Sequence, residues 1–349
     1  MAFSKVVPTG QHNAPWAVLF CFFASGLSGL VYQVVWVREL ILVFGATTFA
    51  VSTVLTAFMG GLALGSYYFG KRVVTISRPL RLYGIIEIGI GIYGLAVPFI
   101  FALLPNLYQP IWQKLQLSFL AISVVRFAFA ALVLILPTAL MGATLPVLST
   151  YYARDRLRIG LHVGVLYALN TFGAVIGAAA TGFVLISTLG MRATTATAAG
   201  LNILLGIVAI WVSSRHELTN ESAQAAAPVT ESDSPDVVGR ESKPKRRRGK
   251  PAADIDASAA ESPLGRAGLT AILACFGVSG FIALSYEVIW SRVLALIIGS
   301  SVYAFSIMLT TFLIGLAVGA WVAARYVDRI RRPVMAFALI EIAIGVASL

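Results

Sequence analysis

Charged residues are scarce in this chain. Asp, Glu, Lys and Arg make up 12% of its 349 residues, whereas 58% are hydrophobic and the mean hydropathy is +0.87. Soluble domains carry about 25% charged residues, so this composition argues against a soluble protein and indicates a membrane protein. The net charge of +11 lies in short clusters between apolar runs, which is typical of cytoplasmic loops. The lipid bilayer is therefore the expected partner, and nucleic acid is not.

Cysteine and histidine are scarce as well, which limits metal and redox chemistry. The chain has two cysteines and three histidines. Cys21 and Cys275 lie inside apolar runs without a neighbouring His or Cys, so neither a disulfide framework nor a metal site is predicted. The motif Gly89-x-Gly91-x-x-Gly94 has the spacing of a dinucleotide site, but it lies in an apolar run and favours helix packing instead. No catalytic residue and no cofactor is predicted.

Long apolar runs dominate the rest of the sequence. A membrane-spanning helix needs about 20 mostly apolar residues. Eight complete runs qualify, and a ninth begins near Val334 and is still apolar at Leu349, so we expect the chain to stop inside its ninth helix. The prediction is an all-α polytopic membrane protein. The eight complete runs are 15–37, 47–69, 82–104, 124–148, 160–189, 193–212, 269–290 and 302–324.

Small residues recur at four-residue spacing within these runs. Gly61 and Gly65, Gly173 and Gly177, and Gly315 and Gly319 each share one helical face. Such pairs allow two helix backbones to approach closely, so they predict packing contacts within the bundle.

Basic residues follow alternate runs and predict an orientation. Lys71 and Arg72 follow the second run, Arg154 the fourth and Arg325 the eighth, whereas residues 105–120 carry only Lys114. Cytoplasmic loops of membrane proteins are enriched in Lys and Arg. We therefore expect a multi-pass protein of a bacterial-type cytoplasmic membrane. The N-terminus and the segment after the sixth run would then be cytoplasmic, and residues 105–120 would be outside.

That segment, residues 213–266, differs in composition from everything around it. It is rich in Ala, Ser, Pro, Asp and Glu, lacks aromatic residues and contains a basic run from Lys243 to Lys250. A sequence of this kind cannot bury enough apolar surface to offset its chain entropy, so we predict a disordered linker. The predicted domains are a first membrane half at 1–212, this linker, and an incomplete second half at 267–349.

The two membrane parts contain copies of one repeat. A shift of 254 positions aligns residues 16–95 with 270–349 without a gap, and 33 of the 80 positions are identical. Shared hydrophobicity alone would not align Trp, Arg, Pro and Glu together. Six runs precede the linker, and an even number returns the chain to the same side, so both copies enter the membrane in the same orientation. Parallel six-helix halves are the arrangement of major-facilitator transporters.

The motifs of the repeat also resemble those of one family. Each copy carries Ser-Gly-x-x-x-Leu-x-Tyr-Gln/Glu-x-x-Trp-x-Arg and then Phe-x-x-Gly-Leu-Ala-x-Gly. With the motifs at 136–146 and 166–174, they resemble the membrane region of the fused major-facilitator/spermidine-synthase family, over nearly all the chain except the linker. The loop with Asp328 and Arg329 is similar to the Asp-Arg-x-Gly-Arg-Arg loop of major-facilitator transporters, although the first copy lacks the Asp.

The resemblance leaves three functions open. The first is a transporter-like membrane domain handling a small cationic metabolite such as a polyamine. The second is a membrane anchor for an enzyme. In that family the membrane region is commonly followed by a soluble aminopropyltransferase-like domain, which binds decarboxylated S-adenosylmethionine. None of that domain lies in this chain, so enzyme activity stays open. The third is a structural scaffold subunit.

Polar residues inside the apolar runs are the candidate site residues. Tyr32 and Gln33 occupy one repeat, and Tyr286 and Glu287 are their counterparts, so we expect a substrate path there, with the charge of Glu287 suited to a cation. Asn170, on the fifth run, is a further candidate for that path. Alternatively, its side chain forms a hydrogen bond between two helices.

Two further acidic residues occupy equivalent positions near the start of the third and ninth runs. Glu87 and Glu341 are expected either to pair with a loop arginine or to act as a proton or cation relay. Asp328 and Arg329 belong to the same candidate set of charge-relay or structural-pair residues.

Overall fold

The computed structural model describes residues 14–44, 47–72, 76–116, 118–152, 159–225, 265–326, 330 and 332–348. Over these ranges the regular structure is entirely helical. Seven of the helices are long and apolar enough to cross a membrane, as in a multi-pass membrane protein. The helices are α1 (Ala14–Phe44), α2 (Thr47–Arg72), α3 (Pro79–Leu115), α4 (Phe119–Tyr152), α5 (Ile159–Ala180), α6 (Ile186–Ala225), α7 (Gly265–Ile298), α8 (Ser301–Tyr326) and α9 (Pro333–Ala347).

One of the seven spans, Val163–Arg215, contains two of the predicted runs. A π-helical turn, Thr181–Leu185, joins α5 to α6, and the helix then breaks at Gly190, where φ is 78° and ψ is 168°. Glycine suits this backbone because it has no Cβ to clash at positive φ. The break lies between the predicted runs 160–189 and 193–212, so the predicted boundary is confirmed.

Helix α3 is longer than the sequence predicted. It has 37 residues, about 55 Å at 1.5 Å per residue, which exceeds the roughly 30 Å hydrocarbon core of a bilayer. Residues 105–115 therefore continue α3 instead of forming part of a loop at 105–120. Pro105 and Pro110 lie inside this helical extension.

Glycines let the helices of the bundle pack closely. Helix α1 packs against α5, α2 against α4, α3 against α4, and α5 against α8. A Cβ added at Gly173 would overlap the carbonyl oxygen of Phe23, and one at Gly177 would overlap that of Leu27. A Cβ at Gly61 would overlap the side chain of Thr138 on α4, and one at Gly65 the carbonyl oxygen of Ala139 on the same helix, whereas nothing lies within 4 Å of a Cβ at Gly315 or Gly319. The packing prediction is thus confirmed for the first two glycine pairs only.

The chain divides into two compact units whose bounds differ from the predicted domains. One unit comprises residues up to Glu217 and from Leu284 onwards, and the other comprises Leu218–Ala283. Because α8 packs on α5, part of the predicted second half, 267–349, belongs with the first half, 1–212. Helix α6 also continues to Ala225, into the predicted linker 213–266. The prediction of disorder falls mainly on residues 226–264, which lie outside the described residues.

Equivalent positions of the two repeats have the same local backbone. Helices α2 and α8 each have 26 residues. Arg78 precedes α3 with φ −129° and ψ 71°, and its counterpart Arg332 precedes α9 with φ −131° and ψ 76°. In both cases a proline follows in the first helical turn, where its fixed φ and missing N–H are tolerated.

Candidate functional site

The first group of candidate residues lies on α1, deep in the bundle. Tyr32, Gln33 and Trp36 are at most 1% exposed. The rings of Tyr32 and Trp36 stack at 5.2 Å, and Tyr32 also lies against the backbone of Gly94 on α3. No hydrogen-bond partner among the described residues meets the Tyr32 hydroxyl, the Gln33 amide nitrogen or the Trp36 indole nitrogen. Three buried polar groups without a partner in the described part of the chain are uncommon in a folded protein.

The counterpart group on α7 centres on Glu287. Its side chain is 2% exposed, and neither carboxylate oxygen has a hydrogen-bond partner within the described part of the chain. Its backbone carbonyl accepts a hydrogen bond from the Ser291 hydroxyl at 2.7 Å, which is ordinary helix chemistry and leaves the carboxylate unsatisfied. Tyr286 is half-buried beside it. Both repeats thus bury an unsatisfied polar side chain at the same position, as Gln33 and as Glu287.

Asn170 has a packing contact. Its side-chain nitrogen donates a 3.0 Å hydrogen bond to the backbone carbonyl of Phe22 on α1. Gly26, also on α1, makes room for it, since a Cβ there would overlap the backbone of Asn170. Of the two roles that the sequence left open, the structure shows the hydrogen bond between helices.

Glu87 has neutral partners instead of the expected loop arginine. Its carboxylate is fully buried and accepts hydrogen bonds from the Ser25 hydroxyl on α1 and the Asn202 amide on α6. The expected pairing with an arginine is therefore corrected: Glu87 faces the interior seam between helices, where no arginine of the described chain contacts it. The Tyr83 hydroxyl is buried beside this carboxylate, and the Asn202 side-chain oxygen is buried without a hydrogen-bond partner among the described residues.

The seam that holds Glu87 is tight. Gly84 and Gly206 face each other so closely that a Cβ on either would meet the other's carbonyl oxygen, at 2.6 and 2.5 Å. One turn beyond Glu87, a Cβ on Gly91 would meet the carbonyl oxygen of Ala199 at 2.8 Å. Helices α3 and α6 are thus in backbone contact on both sides of the carboxylate.

The remaining charged candidates are Glu341, Asp328 and Arg329. Glu341 is half-buried on α9 and has contacts of its own. Asp328 and Arg329 lie outside the described residues. In the described ranges, no group of three or more His, Cys, Asp or Glu side chains is arranged to hold a metal ion.

Sequence reasoning missed three residues that the structure makes prominent. Ser25 and Asn202 complete the Glu87 cluster, and Glu39 on α1 has a buried, unpartnered carboxylate oxygen. A signal was present for Asn202, because amide residues inside apolar runs are expensive and usually have a role, whereas Glu39 lies two residues beyond the first predicted run. Ser25 carried no such signal, because a serine in a membrane helix commonly bonds to its own backbone.

A surface cavity of about 210 Å³ lies where α1, α2 and α4 meet. Phe49, Thr53 and Phe127 are among its lining residues, together with Arg126. The Arg126 guanidinium donates to the Phe44 carbonyl at 3.4 Å and lies 4.6 Å from the centre of the Tyr108 ring. The positive charge of Arg126 is favourable at the carbonyl end of α1, so these two contacts explain why an arginine lies at this position.

Known proteins give no independent guide to the function of this candidate site. The resemblance to the fused major-facilitator/spermidine-synthase family rests on the sequence motifs alone. No family model, curated protein or solved structure matches the chain.

Proposed function

We propose that the chain is a transporter-like membrane domain that takes a small organic cation, of the polyamine class, at Glu287. The observation that carries this proposal is the Glu287 carboxylate, 2% exposed with both oxygens unpartnered among the described residues. A carboxylate buried in a membrane helix needs a cation, a proton or water, because an uncompensated buried charge costs several kcal/mol. A cationic ligand supplies that partner.

The neighbouring side chains favour an organic cation over a bare metal ion. Each repeat places a tyrosine next to the polar residue and a tryptophan three positions after it, as Tyr32 to Trp36 and Tyr286 to Trp290. Aromatic faces attract ammonium groups through cation–π interaction, by about 0.5–2 kcal/mol each.

The repeat supports a transporter-like arrangement. Parallel halves with a site at their interface are one of the common plans of secondary transporters. The matching backbone before α3 and α9 agrees with two copies of one unit. The difference between Gln33 and Glu287 gives one copy a charge that the other lacks, so the site would be asymmetric although the scaffold is repeated.

The test is a polyamine-induced thermal shift in detergent, for the wild-type chain and for Glu287→Gln. Gln keeps the size of the side chain, matches Gln33 and removes only the charge. We expect the variant to fold with an unchanged or raised Tm without ligand, since an unpaired buried charge is removed, and to lose the shift.

The matched control is Glu221→Gln, the same change beyond the last apolar stretch of α6, which should keep the full shift. A shift that persists in Glu287→Gln, or no shift in wild type at millimolar polyamine, would contradict the proposal. The second result would favour an anchor or scaffold instead. A lower Tm in ligand-free Glu287→Gln would mean that the carboxylate has a structural partner.

A further inference from the structure

We propose that Glu87 is a reversible proton-binding site within the first repeat. The proposal does not depend on the cation site at Glu287, because it rests on a different cluster on α1, α3 and α6. It assigns the buried carboxylate a function beyond packing: it takes up and releases one proton while its partners stay in place.

The hydrogen bonds suit both protonation states. The Asn202 amide donates to one carboxylate oxygen, and it can do so whether the other oxygen carries a proton or not. The Ser25 hydroxyl meets the second oxygen at 2.5 Å, and a hydroxyl can either donate or accept. When Glu87 is ionised, Ser25 donates to it; when Glu87 is protonated, its new O–H donates to Ser25.

The proton step balances without another reactant. A proton from water forms an O–H bond on the carboxylate oxygen beside Ser25, and the charge of the side chain changes from −1 to zero. The serine hydrogen then turns to a carbonyl of the preceding helical turn, as serine hydroxyls in helices commonly do. Release of the proton reverses both changes.

The size of the seam favours a proton over a larger cation. Backbone contact at Gly84–Gly206 and at Gly91–Ala199 brackets the carboxylate on both sides. An ammonium group or a hydrated metal ion would have to separate α3 from α6. A proton adds no volume, so it is the cation that this site accommodates.

Among the described residues, no positively charged side chain contacts the carboxylate, and Arg81, about 9 Å before it along α3, is exposed. The titratable groups that face Glu87 are Cys21 and Tyr32 on α1 and Tyr83 on α3, all neutral in their ordinary forms. Helix α6 contributes Asn202, while its nearest arginines in the described part, Arg192 and Arg215, are about 15 and 20 Å along the helix. On α4, Arg126 lies at Tyr108, about 30 Å along α3 from Glu87.

The experiment is an infrared pH titration of the wild-type chain in detergent, followed at the carbonyl band of protonated carboxylic acids. We expect a band that appears and disappears reversibly with pH and is lost in Glu87→Gln. The variant Asn202→Ala removes the hydrogen bond to the carboxyl group and should move the band to higher frequency, which assigns it to this cluster even if Glu87→Gln does not fold.

Glu287→Gln is the control that separates this site from the proposed cation site. The Glu87 band should persist in that variant, whatever happens to polyamine binding. No titrating acid band in wild type, or a band that neither Glu87→Gln nor Asn202→Ala alters, would overturn the proposal.

Discussion

At the scale of single residues, polar side chains inside the bundle have two kinds of surroundings. Asn170 and Glu87 have partners on neighbouring helices, whereas the amide nitrogen of Gln33 and both carboxylate oxygens of Glu287 have none in the described ranges. Buried polar groups that are satisfied hold helices together, and those that are not are the ones that a ligand, ion or water can complete. This difference, more than polarity itself, separates the packing residues from the candidate site.

Asn170→Ala tests that distinction. The hydrogen bond from Asn170 to the Phe22 carbonyl should contribute about 0.6–1.7 kcal/mol, the range measured between membrane helices. We expect a modestly lower Tm and an unchanged polyamine-induced shift. Loss of the shift with an unchanged Tm would instead place Asn170 on the substrate path.

The sequence predicted the intramembrane polar positions but not their partners. Pairing with a loop arginine was one of the two roles expected of Glu87, the other being a proton or cation relay. In the structure it turns to Asn202, which is 115 residues away in the chain. Such a contact depends on which faces of α3 and α6 meet. Those faces meet at Gly84 and Gly206, where the two backbones approach closely because neither residue has a side chain.

At the scale of helices, glycine placement decides which faces are in contact. A glycine pair predicts that a neighbouring helix can approach closely. This prediction is confirmed for Gly173 and Gly177, but within the described residues no helix approaches Gly315 and Gly319 in this way. Helix existence was predictable because long apolar runs have few alternatives in a bilayer. Helix ends were less so: α3 and α6 continue past their apolar stretches, since polar residues also propagate a helix.

Gly173→Ala and Gly200→Ala form a matched pair. At Gly173 the added methyl group would overlap the Phe23 carbonyl and force α5 away from α1, whereas nothing lies within 4 Å of a methyl group at Gly200. We expect Gly173→Ala to lower the Tm clearly. Gly200→Ala should keep or raise it, since Ala favours a helix by about 1 kcal/mol over Gly. Equal effects in a thermal melt would show that α1 and α5 do not pack closely.

At the scale of the whole molecule, the proposed transporter-like arrangement requires two repeats that enter the membrane in the same direction. The loops before α3 and before α9 are equivalent, and α3 to α8 lie between them. The span Val163–Arg215 has 53 residues, about 80 Å as one straight helix, so with its break at Gly190 it is long enough to cross twice. If the chain between the two loops crosses the membrane six times, both loops lie on the same side. Five crossings would place them on opposite sides.

The most direct test of this arrangement is cysteine labelling at Ile76 and its counterpart Ile330, both uncharged, so that the basic residues that orient the protein stay intact. Each is changed to Cys in a chain that carries Cys21→Ala and Cys275→Ala, and Gln109→Cys is the outside control. In intact cells, an impermeant thiol reagent should label Gln109→Cys alone; after permeabilisation it should label Ile76→Cys and Ile330→Cys as well. Labelling of one of the two repeat positions from outside, but not the other, would contradict parallel repeats.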